Sequence, residues 1–355
     1  MFTVDNQNKM ERSKHSERVH SKGRKSQGHS RKRKTYFTFF LLIFVFILGF
    51  ILFTLNNTYQ NARKTATAIY SPNQITKVRN PETLLKNGHP ISLLLLGTDT
   101  GALGRNFKGR TDTMIIMILD PANKKMTVVS LPRDGLVAVS GYKQHYPSKL
   151  NSAYDFGGSA TAVSTVQQYL NVPIDFYATI NMGGLENLVN AVGGITIKPL
   201  LTFSYGGYSF TKNKETHMNG AQALAYVRMR YSDPQGDYGR QQRQRQVLTT
   251  VAFSATKLQV LLKKQFFTEL KKQLKTDLSF NDFILLGLKY RVATHNLISD
   301  HAQGDSAMID SQSFEVVPEK EKQRITDLLR SSLGLESAKT GNTLQHSQKI
   351  DTNFK

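Results

Sequence analysis

Carboxylates and arginines recur together at the ends of apolar runs in this sequence. Asp99 follows the run Ile91–Leu96, Arg110 and Asp112 open the next run, and Arg133-Asp134 close the one after. A later cluster holds Arg228, Arg230, Asp237, Arg240 and Arg243. A guanidinium fork grips phosphate oxygens in a way that a lysine point charge cannot. Mg²⁺ is ordinarily held by one or two carboxylates, with phosphate oxygens and water completing the shell. Together these residue types are suited to holding a divalent cation against a phosphorylated ligand. Taken singly, an Asp after a buried strand ordinarily caps a turn through nearby amides. Asp99 and Asp112 stand at the mouths of successive elements, where ligands sit in open α/β sheets, and that favours a shared role at a ligand.

The later arginines need an orientation. On a continuous helix, Arg240, Arg243, Gln244, Val247, Val251, Leu258 and Leu262 fall within about 100° of arc. The stripe that begins with two cations therefore continues as the core-facing stripe, and those cations point into the protein. A buried guanidinium needs carboxylates or a bound anion; both partners remain open, with an anion favoured. Arg228 and Arg230 diverge on an ideal helix, so one lies past its end. Other chemistries lack their residues. The chain has no Cys, no His-Glu-x-x-His zinc pattern and no Gly-x-Ser-x-Gly elbow. The glycine-punctuated segment 97–109 lacks the Gly-Lys-Ser/Thr ending of a phosphate loop. His145 and His217 are isolated. Without a protein nucleophile, the attacking group belongs to an acceptor substrate activated by a carboxylate.

The elements that must position these groups are legible in the pattern. Ile91–Leu96 reads as a buried central strand, and Met114–Leu119 with Lys125–Leu131 as two strands joined by a tight Asp120-Pro-Ala-Asn123 turn. Helical periodicity covers Ser148–Leu170, broken at Gly157-Gly158. Ile174–Ile180 follows as a strand, Gly183–Val192 as a helix and Ile195–Ile197 as a strand. Asn219 is a cap for a helix through Arg228. A long helix is predicted from Gly239 toward Lys275, and another over Phe280–Tyr290. Strands alternating with helices indicate an α/β layered domain over 85–332, with 56–84 as linker and 333–355 as a frayed tail.

Residues 36–55 form a charge-free run of 20 residues, about 30 Å as a helix, which matches a bilayer core. Eleven Lys/Arg and three acids precede it, and the first cation beyond it is Arg63. The positive-inside rule then places 1–34, a basic disordered tail, in the cytoplasm and 56–355 outside as a single-pass membrane protein. A cleaved signal peptide fits less well, because the run is long and the small-residue site near Ala62–Ala66 comes late. The net charge of +21 invites a nucleic-acid reading, but much of it lies in the tail, beside anionic headgroups. The remainder faces wall polymers and lipid phosphates.

Six stretches, in order over roughly residues 90–250, resemble the LytR-CpsA-Psr family of cell-wall glycopolymer ligases. They are LLLLGTDT (93–100), GRTDTMIIMILD (109–120), VVSLPRD (128–134), SKLNSAY (148–154), GGLENLVNAVGGI (183–195) and YVRMRYSDPQGDYGRQQRQRQV (226–247). The resemblance implies an α/β/α layered fold with a central mixed sheet and a hydrophobic pocket for a polyprenyl chain. It implies transfer of a glycopolymer (teichoic acid or capsule polysaccharide) from undecaprenyl pyrophosphate to a peptidoglycan sugar hydroxyl. By the same resemblance Asp99 and Asp112 hold Mg²⁺, or Mn²⁺ in its place. Arg110, Arg133, Arg228, Arg230, Arg240 and Arg243 contact the pyrophosphate or organise its site. Asp99, Asp112, Arg133 and Asp237 are the catalytic candidates, and either Asp99 or Asp112 is the base. Tyr238, Leu131 and Ser152 depart from the family's commoner Phe, Ile and His. Two alternatives remain. One is a membrane-anchored transcriptional attenuator, although a tail without a helix-turn-helix would give no specific nucleic-acid binding. The other is a polyprenyl pyrophosphatase using water as acceptor.

Overall fold

A computed structural model describes residues 28–73, 75, 77–98, 109–255, 258–261 and 263–341. The chain divides into Met1–Asn57 and a compact unit, Thr58–Lys355.

The chain opens on α1 (Gly28–Ile69) and α2 (Pro81–Asn87), the latter capped by Asn80. Three strands follow, β1 (Ile91–Thr98), β2 (Thr111–Asp120) and β3 (Lys125–Leu131). Short strands β4 (Leu136–Val137) and β5 (Ser148–Lys149) lead into α3 (Ser152–Leu170). Then come β6 (Phe176–Asn181), α4 (Leu185–Val192), β7 (Ile195–Ile197), β8 (Phe203–Tyr205), β9 (Tyr208–Phe210) and β10 (Thr216–Met218). Helices α5 (Gly220–Arg228), α6 (Gly236–Ala255), α7 (Leu258–Leu261) and α8 (Lys264–Gln273) precede β11 (Leu274–Thr276). The last elements are α9 (Phe280–Leu285), β12 (Asn296–His301), the hairpin β13 (Asp305–Ile309)–β14 (Gln312–Val316), and α10 (Glu319–Ser332).

The central sheet runs β11-β6-β1-β2-β3-β12 and is mixed. β1–β2 and β2–β3 pair antiparallel, whereas β1–β6 and β3–β12 are parallel. Alternation sends Leu94, Leu96, Met114, Ile116, Val129 and Leu131 to one face, where α3 and α10 bury them fully. The other face carries Leu95, Ile115, Met117, Leu119, Met126 and Val128, opposite Leu248 and Phe253 of α6 and Phe283, Leu285 and Leu286 of the α9 region. On this second face Leu95, Met117 and Leu119 are only half-buried, although they sit on the innermost strands. The result is an α/β/α layering with one sealed layer and one loosely covered layer.

Several expectations are met. The Asp120–Asn123 turn joins β2 to β3 with Asn123 donating to Asp120. α3 kinks at Gly157-Gly158, where Gly158 takes φ 69°, a left-handed value that glycine adopts without a Cβ clash. Asn219 caps α5 in a full capping box with Gln222.

Three expectations are corrected. The predicted helix 239–275 is interrupted: Lys263 is extended before α8, and Leu274–Thr276 leaves the helix to pair with β6. Thr276 gains a backbone pairing and a 2.5 Å bond from its hydroxyl to the Tyr177 carbonyl, which outweighs helical propensity at this edge. The linker 56–84 belongs in large part to the domain, because Thr65, Ala66 and Ile69 are buried and the Ser71 amide bonds the Thr276 carbonyl at 2.7 Å. The tail 333–355 is ordered over its first part: Leu335 packs on the sealed core, and the Thr340 amide donates to Gln323 at 2.8 Å. Residues 1–27 and 342–355 lie outside the described residues, as do the side chains of 28–43, 45, 182, 255, 258 and 261. Among the described residues no helix is long and apolar enough to cross a membrane.

Candidate active site

The antiparallel register that pairs Met114 with Leu131 brings the start of β2 against the end of β3. Arg133 Nη1 consequently donates to Asp112 Oδ1 at 2.6 Å, while its Nε lies 3.4 Å from Asp134. Lys149 holds the other oxygen of Asp134 at 3.0 Å. The N-terminal turn of α6 adds the second half. Arg240 Nη2 lies 2.5 Å from Asp237 Oδ1, Arg230 Nε lies 3.8 Å from the same oxygen, and Gln241 donates to Asp237 Oδ2 at 3.0 Å.

The two halves share one field. Burial opposes the charge on Arg133, but Asp237, Asp112 and Asp134 outweigh it and raise its pKa. Burial lowers that of Arg240, and the repulsion of Arg133 and Arg230 works in the same direction against the pull of Asp237 and Asp112. Arg240 is thus a cation held where its charge is under-compensated. Its Nε and Nη2, Arg133 Nε, Asp237 Oδ1 and Gln241 Oε1 are all buried without a hydrogen-bond partner among the described residues. The ion pairs are close yet mis-aimed for hydrogen bonds. Leaving such a group unsatisfied costs about 1–3 kcal/mol each, and the guanidinium donors among them are of the kind that bind an anion.

A supporting layer fixes the cluster. Gln244 accepts from Thr113 at 2.9 Å, tying α6 to β2. Arg245 donates to Ser130 at 2.5 Å and to Ser299 at 3.1 Å, tying α6 to β3 and β12, and burial lowers its pKa to about 10 against the pull of Asp300. The Tyr238 hydroxyl bonds Glu315, and the Gly304 amide reaches both, so the residue beside Asp237 anchors the β13–β14 hairpin. The Glu315 carboxyl is pushed up by burial, against the hydrogen bond from Tyr238.

The LytR-CpsA-Psr family model matches residues 52–331 of this chain. The chain belongs to the LytR-CpsA-Psr family. It is 44% identical over 260 residues to an Enterococcus faecalis polyisoprenyl-teichoic acid–peptidoglycan teichoic acid transferase, TagU, covering 73% of this chain and 85% of that protein. It is 38% identical to the Streptococcus mutans biofilm regulatory protein A, over 75% of this chain and 69% of the relative. Among solved structures, Bacillus subtilis TagU superposes with a TM-score of 0.56 at 31% identity, over 69% of this chain and 97% of that one.

In this LytR-CpsA-Psr chain, four of the residues singled out from sequence converge: Asp112, Arg133, Asp237 and Arg240, with Arg230 beside them at the rim. Asp99 lies outside the described residues. Arg110 is exposed at the entrance to β2, and Arg228 is exposed on the last turn of α5, with nothing among the described residues joining it to the cluster. Arg243 is corrected. Its side chain is 1% exposed and pairs with Asp233, while its remaining donors go to the Tyr226 and Met229 carbonyls. The guanidinium is sealed among these protein partners, so Arg243 organises the α5–α6 connection that carries Arg230 and Asp237. The sequence reasoning missed Asp233, which stands ten residues before its partner and has no periodic signal. It also missed Glu315, whose partner Tyr238 is distant in sequence.

The same cluster bears on metal binding. Among the described residues no three acidic or histidine groups gather into a cage. A phosphate-bridged Mg²⁺ needs only one or two carboxylates. Asp112 gives one oxygen to Arg133 and keeps a side chain that is 40% exposed, which fits that mode. Behind the cluster, the second sheet face changes character along its length. Thr113 and Ser130, bonded to Gln244 and Arg245, give way to Ile115, Val128, Met117 and Leu119. A cavity of about 420 Å³ opens at the far end of α6, lined by residues including Phe253, Val260, Thr196 and His217. Thr250 lies thirteen residues beyond Asp237 on α6, about 20 Å of helix.

Proposed function

We propose that the chain transfers a glycopolymer from a polyprenyl pyrophosphate carrier to a peptidoglycan hydroxyl on the outer face of the membrane. The observation that carries this reading is the set of buried guanidinium donors of Arg133 and Arg240, without hydrogen-bond partners among the described residues, at the polar end of a half-covered apolar face. That gradient suits an amphiphile with an anionic head and a long hydrocarbon tail. The head would lie against Arg133, Arg240 and Arg230, and the tail along Leu95, Met117, Leu119 and Leu248. The exposed apolar side chains from Phe46 to Leu55 support residues 36–55 as the membrane anchor.

The acceptor hydroxyl attacks the sugar-linked phosphorus. A new P–O bond forms, the bridging P–O bond breaks, and polyprenyl phosphate leaves. We assign the hydroxyl proton to Asp112, which Arg133 orients, or to Asp99. Arg133 and Arg240 stabilise charge that grows on the equatorial and leaving oxygens, where preorganised donors act most strongly. Asp237 holds Arg240 and Arg230 in place. Asp112, with Asp99, would hold Mg²⁺ or Mn²⁺, and such an ion when bound neutralises phosphate charge as a Lewis acid.

Incubating the full chain in vesicles with carrier-linked polymer and peptidoglycan tests this reading. Polymer should become covalently attached to the peptidoglycan. Polymer released to solution would identify a pyrophosphatase. Intact carrier, with DNA retained instead, would identify a regulator.

A further inference from the structure

The segment after α8 carries apolar side chains on two opposite sides. Phe283, Leu285, Leu286 and Tyr290 point inward, into the cluster that includes Leu93, Leu95, Met117 and Leu119. Ile284, Leu288 and Val292 point outward, with Leu288 77% exposed. Ile284 stands on α9, Leu288 on the π turn Leu286–Tyr290 that extends it, and Val292 on the 3₁₀ turn Arg291–His295 that follows, and all three are exposed. A helical element that is apolar all round is ordinarily buried, yet the described residues leave these side chains open.

Two observations identify their cover. The first is tether length. Tyr59 packs edge-on against Phe280, the first residue of α9, with ring centroids 5.2 Å apart. Tyr59 follows the apolar run 36–55 by four residues on α1, about 6 Å of helix. No more than four residues of chain, about 14 Å if fully extended, therefore separate the end of that run from a residue that touches the start of α9. The second is charge. Lys289 and Arg291 are exposed beside them in the chain, whereas Asp282, the one acid between Phe280 and Ser299, is buried in the capping box with Ser279.

We propose that α9 and the turn after it form a membrane-docking surface. Ile284, Leu288 and Val292 enter the outer leaflet, while Lys289 and Arg291 meet anionic headgroups, as basic amphipathic elements do. The inner side of this element lines the loosely covered sheet face, so docking presents that apolar face laterally to lipid. A polyprenyl tail then passes from bilayer to protein without crossing water. The docking rests on residues 36–55 being the anchor proposed above.

The chain has no cysteine, so Leu288→Cys can be labelled uniquely with an environment-sensitive fluorophore in the full chain. The probe is vesicles containing phosphatidylglycerol, with Met308→Cys on the β13–β14 hairpin as reference, a residue about half exposed. Flotation after a carbonate wash reports the anchor separately. The expected result is flotation of both proteins. The label at 288 is quenched by lipid-borne nitroxide and shielded from iodide, and the label at 308 behaves in the opposite way. Flotation with the label at 288 open to iodide overturns the docking and leaves the anchor standing. Failure to float overturns both.

Discussion

Arg240 and Arg243 lie three residues apart on α6 and should fail in opposite ways when replaced. Arg243 is 1% exposed and its partner Asp233 6%. Arg243→Ala leaves a buried carboxylate without its cation, a loss of about 3–5 kcal/mol. It also strands the Tyr226 and Met229 carbonyls that the guanidinium now satisfies. At roughly 2–4 °C per kcal/mol for a domain of this size, the melting temperature should fall by about 6–20 °C. The double variant Arg243→Met/Asp233→Leu, which removes both charges, should recover much of that loss. Arg240→Lys keeps a positive charge near Asp237 but loses the fork, whose Nε and Nη2 have no hydrogen-bond partner among the described residues. Its melting temperature should move by no more than the equivalent of about 1 kcal/mol. Its affinity for a polyprenyl pyrophosphate should drop by about 1.5–3 kcal/mol, the scale of a hydrogen bond to a charged group. Thermal melts and a binding titration on the same full-length proteins separate the two roles. Arg243→Ala that melts like the parent but no longer binds, or Arg240→Lys that unfolds early and still binds, would refute this division.

Three further outcomes follow from the geometry. Glu315 has a folded pKa raised above its ordinary 4.5 by burial, so its protonated form stabilises the fold and that contribution is lost as pH rises through the raised value. Glu315→Gln keeps an acceptor for Tyr238 and should flatten the decline in melting temperature as pH rises above about 4.5; an unchanged slope would show that the carboxyl is not the group responsible. Asp112→Asn should abolish most transfer and raise the Mg²⁺ or Mn²⁺ concentration needed for the remainder, whereas a parental metal requirement would remove Asp112 from the ion. Protease added to intact wall-stripped cells should digest the domain and leave a small N-terminal fragment, and full protection would contradict the outward orientation.

The parts of this molecule legible in the sequence are those with a local cause. The apolar runs of β1, β2 and β3 have few other solutions, and the Asn219 cap and the Gly157-Gly158 break are set within a few residues. The inward orientation of Arg240 and Arg243 also followed from helical periodicity. What periodicity could not supply was the partner. Arg243 pairs with Asp233 only once the α5–α6 connection has folded, whereas Arg240 meets Asp237 one turn away on α6 itself, so one stripe contains a sealed cation and a partly exposed one. The break at Lys263 was hidden because the pairing of Leu274–Thr276 with β6 is non-local. The involvement of Glu315 was hidden for the same reason, since the hairpin that carries it is far from Tyr238 in sequence.

Attack on phosphorus beside a pyrophosphate held by Arg133 and Arg240, as proposed above, is tested most directly by the fate of one atom. Carrier-linked polymer labelled at the sugar-proximal phosphate should, with the full chain and peptidoglycan, deliver its label to the peptidoglycan as a phosphodiester and release polyprenyl monophosphate. Label that stays on the lipid as pyrophosphate, with unlabelled polymer on the peptidoglycan, would place the attack at the sugar carbon and contradict the account.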